Sequence, residues 1–138
     1  MFAPAVVRHS GAGHILADVP DVPSVVVATP GAEPRADGGY AAVVLLDTWL
    51  TLAREDLRAA EEAVRRWCNA AGLTRRGARV VAVGDPAMPA IQALVRWDPV
   101  GFAAREFAER ESAKLPPAAR VASLTGSPEA IEEALEFL

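Results

Sequence analysis

The side chains best placed for chemistry in this sequence are two strand-end residues and a run of arginines. Asp47 closes the aliphatic run AAVVLLD, and Thr29 closes SVVVAT. Both runs read as buried strands, and α/β sheets bind ligands at the carboxyl ends of their strands. Asp47 could meet such a ligand or simply cap the next loop; Thr29 could do the same or be an ordinary strand-end hydroxyl. Between Ala63 and Gly84 stand five arginines (Arg65, Arg66, Arg75, Arg76 and Arg79) and no acid. Guanidinium groups at that density suit phosphate contact, although a solvated helix face followed by a solvated turn fits the same residues.

Other chemistries lack their residues. Neither G-x-x-x-x-G-K-[ST] nor G-x-G-x-x-G occurs, so no phosphate-cradling loop is present. The glycines of Gly11 to Gly13 neither follow the right strand nor open a helix. There is no G-x-S-x-G nucleophile elbow. His9 and His14 have no carboxylate or cysteine cluster beside them, which argues against a metal site. Cys68, the single cysteine, excludes an internal disulfide and sits in a helical apolar pattern as a buried thiol. Trp67 and Trp97 suit core or interdomain packing better than base stacking.

The 138 residues give room for one domain with a short element attached, and an apolar fraction of 51% supplies a core. The apolar runs are far shorter than a membrane span and the opening residues do not read as a leader, so a cytoplasmic protein is expected. The net charge of −4 argues mildly against a dedicated nucleic-acid binder. That excess is concentrated in Glu129, Glu132, Glu133 and Glu136, which leaves the arginine stretch locally basic.

The elements that must position these residues follow from periodicity. Strands are expected from Ala5 to Arg8, over SVVVAT, over AAVVLLD and over Ala78 to Val83. Runs apolar on both faces predict a mainly parallel sheet flanked by helices, an α/β fold. The clearest helix runs from Asp56 to Ala71, with Leu57, Ala60, Val64, Trp67, Cys68 and Ala71 on one face. The pairs Arg58/Glu62, Glu61/Arg65 and Glu62/Arg66 lie opposite, and Gly72 supplies the stop. Asp85-Pro86 opens a helix through Arg96, and Asp98-Pro99 opens another through Ser112 with Val100, Ala103, Phe107 and Ala108 inward. After Pro117, ARVASL predicts a strand and Ser127-Pro128 caps a helix with an apolar stripe at Ile131, Ala134, Leu135 and Leu138. Residues 1–113 thus form the main domain, and 114–138 read as the start of a truncated second one.

As a linear pattern these pieces are more specific than any one motif. The stretches VVVATPGAEP, GGYAAVVLLD, DLRAAEEAVRRW, GARVVAVGDPAMPAIQALVRWDPVGFAAREFAERE and LPPAARVASL resemble the primosomal protein N′ (PriA) family of replication-restart helicases. The most telling residues are Pro89 to Leu94, Asp98, Glu106 to Arg110 and Leu115 to Pro117. The resemblance implies a RecA-like second helicase lobe leading into a C-terminal domain.

The departures define what the resemblance implies for function. Of the family's G-T-Q-x-x-x-K-G-x-D-F loop only Thr29 survives, at the end of its strand. The family's Q-V-A-G-R-A-G-R motif falls on Asn69 to Arg76, so that Asn69 replaces its glutamine, Gly72 is kept, and Leu73 replaces the arginine that would reach the γ-phosphate. Leucine cannot stabilise charge on a transferring phosphoryl group. The pattern looks like the actinobacterial branch of the family, with degenerate ATPase motifs. It implies no catalysis and no cofactor in this segment, since zinc and ATP belong to other parts of the family's proteins. Forked or single-stranded DNA and replication-restart proteins are the implied partners, with Arg65, Arg66, Arg75, Arg76 and Arg79 as DNA-contacting candidates. Two rivals remain: an active ATPase lobe completed by a first lobe, with Arg75 or Arg76 as its finger, and an unrelated small-molecule binder centred on Thr29 and Asp47.

Overall fold

Aliphatic runs with no polar face pair side by side and in parallel. A computed structural model describes residues 6–137, and three two-stranded parallel sheets organise its first part. Strand β1 (Val6–Ser10) pairs with β3 (Ser24–Ala28), from Val6 opposite Ser24 to Ser10 opposite Ala28. The short strands β2 (Asp18–Val19) and β4 (Arg35–Ala36) pair likewise. Strand β5 (Tyr40–Leu45) pairs with β6 (Thr74–Ala82). Parallel neighbours need a crossover, which here holds α1 (Thr48–Leu52) and α2 (Ala59–Gly72). Helices α3 (Pro89–Arg96), α4 (Pro99–Ser112) and α5 (Pro128–Glu136) follow. The chain divides into two units, Met1–Ala103 and Ala104–Leu138.

The α/β class and the parallel pairing match the sequence. The strands do not join into one sheet, however, and they are not covered on both faces. Val6, Val7, Val25, Val27, Val44 and Val81 are exposed, because each sheet among the described residues has two strands and therefore little surface shared with helices. Ala5, expected to open the first strand, and Leu138, expected on the last stripe, lie outside the described residues.

The core of the first unit gathers under α2 and α3. Ala63, Val64, Trp67 and Ala71 of α2 pack with Ala90, Ile91, Ala93 and Leu94 of α3 and with Phe102, and Leu45 and Ala82 bring in the β5/β6 pair. Cys68 is partly buried against this cluster, and burial pushes its thiol above the usual range. Leu57, expected on the inward face, is exposed, because α2 starts two residues after it.

Helix ends differ from the sequence expectation in instructive ways. Gly72 is the last residue of α2 rather than its stop, and Leu73 closes the helix with right-handed backbone. Asp85-Pro86 forms a turn in which Asp85 Oδ1 accepts from the Ala87 N–H at 2.8 Å, so α3 begins only at Pro89. Asp98 does cap α4, accepting from the Gly101 N–H at 2.8 Å. Helix α3 ends at Trp97 in left-handed backbone, with the Asp98 N–H donating to the Ala93 carbonyl at 2.9 Å. This Schellman-type ending leaves Trp97 exposed rather than packed. On α4, Phe102 and Arg110 are buried, whereas Val100, Ala103, Phe107 and Ala108 are exposed.

In the second unit Ser127 caps α5, its hydroxyl accepting from the Ala130 N–H. Ala119–Leu124 form no strand among the described residues. An apolar segment without a pairing partner gains nothing from extending. Ile131 and Ala134 of the predicted stripe are half-buried and Leu135 is exposed.

One contact ties the crossover to the strand it serves. Thr48, 1% exposed, donates from Oγ1 to the Val83 carbonyl at 2.8 Å. Gly84 makes room for it, since a Cβ there would run into Thr48 Oγ1 and stand 2.9 Å from Ile91 Cδ1. Gly84→Ala should therefore lose about 1–3 kcal/mol through overpacking, measured by urea unfolding; an unchanged midpoint would show that this junction yields freely.

Candidate nucleic-acid interface

Helix α2 passes into β6 without a loop. The Thr74 hydroxyl donates to the Ala71 carbonyl at 2.7 Å, and the Leu73 carbonyl accepts from the Tyr40 N–H at 3.0 Å. The chain is thereby committed to pairing from Thr74 onward, and Arg75, Arg76 and Arg79 all belong to a strand rather than to a turn. The pairing is irregular at once. Tyr40 faces Thr74 and Ala42 faces Arg79, so β6 advances five residues while β5 advances two. The surplus is pushed out as a bulge carrying Arg75, Arg76 and Gly77.

Glycine makes this bulge possible at two points. Gly77 has φ +77°, in the left-handed region that favours glycine. Across the pair, Gly39 has φ +78°, and a Cβ on it would lie 2.7 Å from the Arg75 nitrogen. Only a residue without a side chain lets the two backbones approach so closely.

The five candidate arginines are not equivalent. Arg75, Arg76 and Arg79 are exposed, and their side chains form no ion pair with a described residue. Arg65 and Arg66 are both taken by Glu62. Arg65 donates from Nη2 to Glu62 Oε1 at 2.6 Å and from Nε to Oε2 at 2.8 Å; Arg66 donates from Nε to Oε1 at 2.8 Å. Hydrogen bonds from Arg65 and then from Arg66 hold the Glu62 carboxyl down from 4.5 to about 2. The expected Glu61/Arg65 and Arg58/Glu62 pairs are replaced by this fork and by an Arg58–Glu61 contact at 3.8 Å. Residues three apart on a helix are neighbours as well as residues four apart.

The candidate nucleotide positions are dispersed. Thr29 is exposed at the end of β3, its N–H donating to the Ser10 carbonyl at 3.0 Å. Asp47 is exposed in left-handed backbone before α1, and its side chain makes no capping bond. Because β3 and β5 belong to different sheets, Thr29 and Asp47 do not share a sheet edge. Asn69 and Gly72 are exposed along α2, and Leu73 is half-buried. Gly11 and Gly13 serve a tight turn in which Gly11 and His14 exchange 3.0 Å backbone hydrogen bonds. An open groove of about 550 Å³ lined by Asp18, Val19, Pro20, Arg35, Ala36 and Asp37 has no signal in the sequence.

No protein-family model matches the chain. Over 124 residues it is 50% identical to the "Probable replication restart protein PriA" of Mycobacterium leprae (strain TN), covering 86% of this chain and 19% of that protein. Over 117 residues it is 52% identical to the proteins of the same name in Mycobacterium tuberculosis (strain ATCC 25618 / H37Rv) and Mycobacterium bovis (strain ATCC BAA-935 / AF2122/97), covering 83% of this chain and 18% of each of them. The chain is homologous to a segment of PriA. It spans about a fifth of the length of these PriA relatives. The stretches that carry the PriA resemblance fall on β3, β5, α2, the bulged β6, α3 and α4, except LPPAARVASL, which lies between α4 and α5 outside any helix or strand.

The Glu62 fork has a direct spectroscopic test. A depressed carboxyl stabilises the fold above its ordinary value of 4.5, and that contribution is lost as pH falls toward about 2. In a carboxyl NMR titration Glu62 should titrate near the lower value, and in Arg65→Ala/Arg66→Ala it should return to the ordinary carboxylate range. A normal midpoint in the unaltered protein would show that the fork does not persist in solution.

Proposed function

We propose that this chain serves DNA replication restart as a RecA-like lobe that contacts the DNA backbone and does not itself hydrolyse ATP. The observation that carries the reading is the identity of half the aligned residues to proteins named for replication restart. Three exposed arginines on and beside the β6 bulge support it, since phosphate contact requires cations that no acid has already taken. In this reading residues 1–113 are helicase-derived and 114–138 begin the C-terminal domain. Its setting is the cytoplasm, and its partners are forked or single-stranded DNA and other replication-restart proteins.

The reading without hydrolysis rests on the motif positions. Leu73 stands where the resemblance implies the arginine for the γ-phosphate, and its backbone carbonyl is engaged by Tyr40. Asn69 and Gly72 keep polarity and space there but bring no charge. Thr29 is what remains of the phosphate-side loop, and Asp47 has no lysine-glycine pair to work with.

Two measurements test this. Fluorescence anisotropy on a forked duplex should show weak binding, with log K falling against log salt by about 0.9 for each of one or two phosphates. Arg75→Ala/Arg76→Ala should abolish most of it. Equal affinity in both proteins would reduce the bulge to a solvated loop, and no binding at low salt would leave proteins as the only partners. In a thermal-shift series with Mg·ATP the chain should not respond, whereas a ligand at a hundred times its Kd would stabilise it by about 2.7 kcal/mol.

A further inference from the structure

Glu62 occupies the guanidinium edges that a phosphate would need. A carboxylate and a phosphate both accept two parallel N–H bonds from arginine, and the Nε and Nη2 of Arg65 already point at the two oxygens of Glu62. Arg66 Nε points at one of the same oxygens. The fork is reachable from solvent, with side-chain exposures of 60% for Arg65, 31% for Arg66 and 35% for Glu62. Helix spacing sets the arrangement, because positions i, i+3 and i+4 meet on one face. Along the helix axis Arg66 stands about 10 Å before Leu73, after which the bulge begins.

We propose that Glu62 is an internal competitor for the DNA backbone, holding Arg65 and Arg66 out of contact so that only the bulge arginines engage phosphate in the unaltered protein. This rests on the DNA-contacting reading above and specifies how that contact is limited. Neutralising Glu62 frees the Nε and Nη2 of Arg65 and the Nε of Arg66 for phosphate, in addition to the bulge arginines Arg75 and Arg76.

The test compares the salt dependence of duplex binding in five forms of the full chain: unaltered, Glu62→Gln, Glu62→Ala, Glu62→Gln with Arg65→Ala/Arg66→Ala, and Glu55→Gln. The last changes net charge equally at an exposed carboxylate elsewhere. Glu62→Gln and Glu62→Ala should steepen the log–log slope by about 0.9 for each phosphate gained. Between 50 and 200 mM salt each such contact adds about a 3.5-fold loss of affinity on that slope. Both variants should bind more tightly at low salt. The gain should vanish when Arg65 and Arg66 are also removed, and Glu55→Gln should show none of it.

A slope unchanged in both Glu62 variants, with their circular dichroism intact, overturns the inference while leaving binding through the bulge standing. A gain that survives loss of Arg65 and Arg66, or that Glu55→Gln reproduces, overturns it as a mere charge effect. Absence of binding in every form removes both this inference and the reading beneath it. Binding that appears only when Glu62 is altered overturns the claim that the bulge arginines engage phosphate in the unaltered protein.

Discussion

Two parallel strands cannot be joined by a tight turn, and the β5/β6 pair meets that constraint through α1 and α2. The crossover has to leave β5, return along the pair and re-enter beside its own starting strand. Thr48 fixes the departure by bonding to the Val83 carbonyl. Val64, Trp67 and Ala71 fix the return by packing against α3 and the inner side chains Leu45 and Ala82. The place where α2 must stop is then set by the pairing of Tyr40 with Thr74. Since the helix runs straight into the strand, the surplus residues leave the ladder as a bulge. Arg75 and Arg76 owe their position to that bulge, and the bulge owes its position to the crossover.

The same geometry separates two populations of arginine. On α2 a helical neighbour lies within reach three or four residues away, so each cation finds Glu62. On β6 the residues flanking Arg75 and Arg76 are Thr74 and Gly77, and the strand opposite offers Gly39 and Tyr40. None of these four residues carries a carboxylate. Secondary structure, rather than the number of arginines, decides which guanidinium groups are unoccupied.

Much of this was legible in local pattern. The β-branched runs marked the main strands, and the spacing of Val64, Trp67 and Ala71 marked the buried face of α2. What was not legible depended on partners distant in sequence. The bulge requires Gly39 opposite Arg75, which no reading of the arginine stretch alone can supply. Helix α1 follows an aspartate in left-handed backbone and has no side-chain cap, so TWLTL carries no start signal. On α4, Ala103, Ala104 and Ala108 leave no clean apolar stripe to identify Phe102 as buried. The apolar residues of ARVASL suggested a strand, but a strand is a property of a pair. For the candidate site, the arginines themselves were visible, while their division by Glu62 depended on which rotamers meet.

Net charge is a weak guide to such a surface, and the two units show why. Met1–Ala103 holds ten arginines against eleven acids, whereas Ala104–Leu138 holds four cations against seven acids. Three of the four excess negative charges therefore belong to the second unit. Exposed charges farther apart than about 8–10 Å are largely screened at physiological salt, so a phosphate at the bulge responds to the groups around Arg75 and Arg76 and not to the sum. Within the first unit the acids nearest in sequence to the bulge are Glu62 and Asp85. Glu62 is committed to two arginines, and Asp85 accepts from the Ala87 N–H in the turn after β6. The acidic isoelectric point and a basic binding surface are compatible, because one is a sum over the chain and the other is a property of a few side chains that form no ion pair with a described residue.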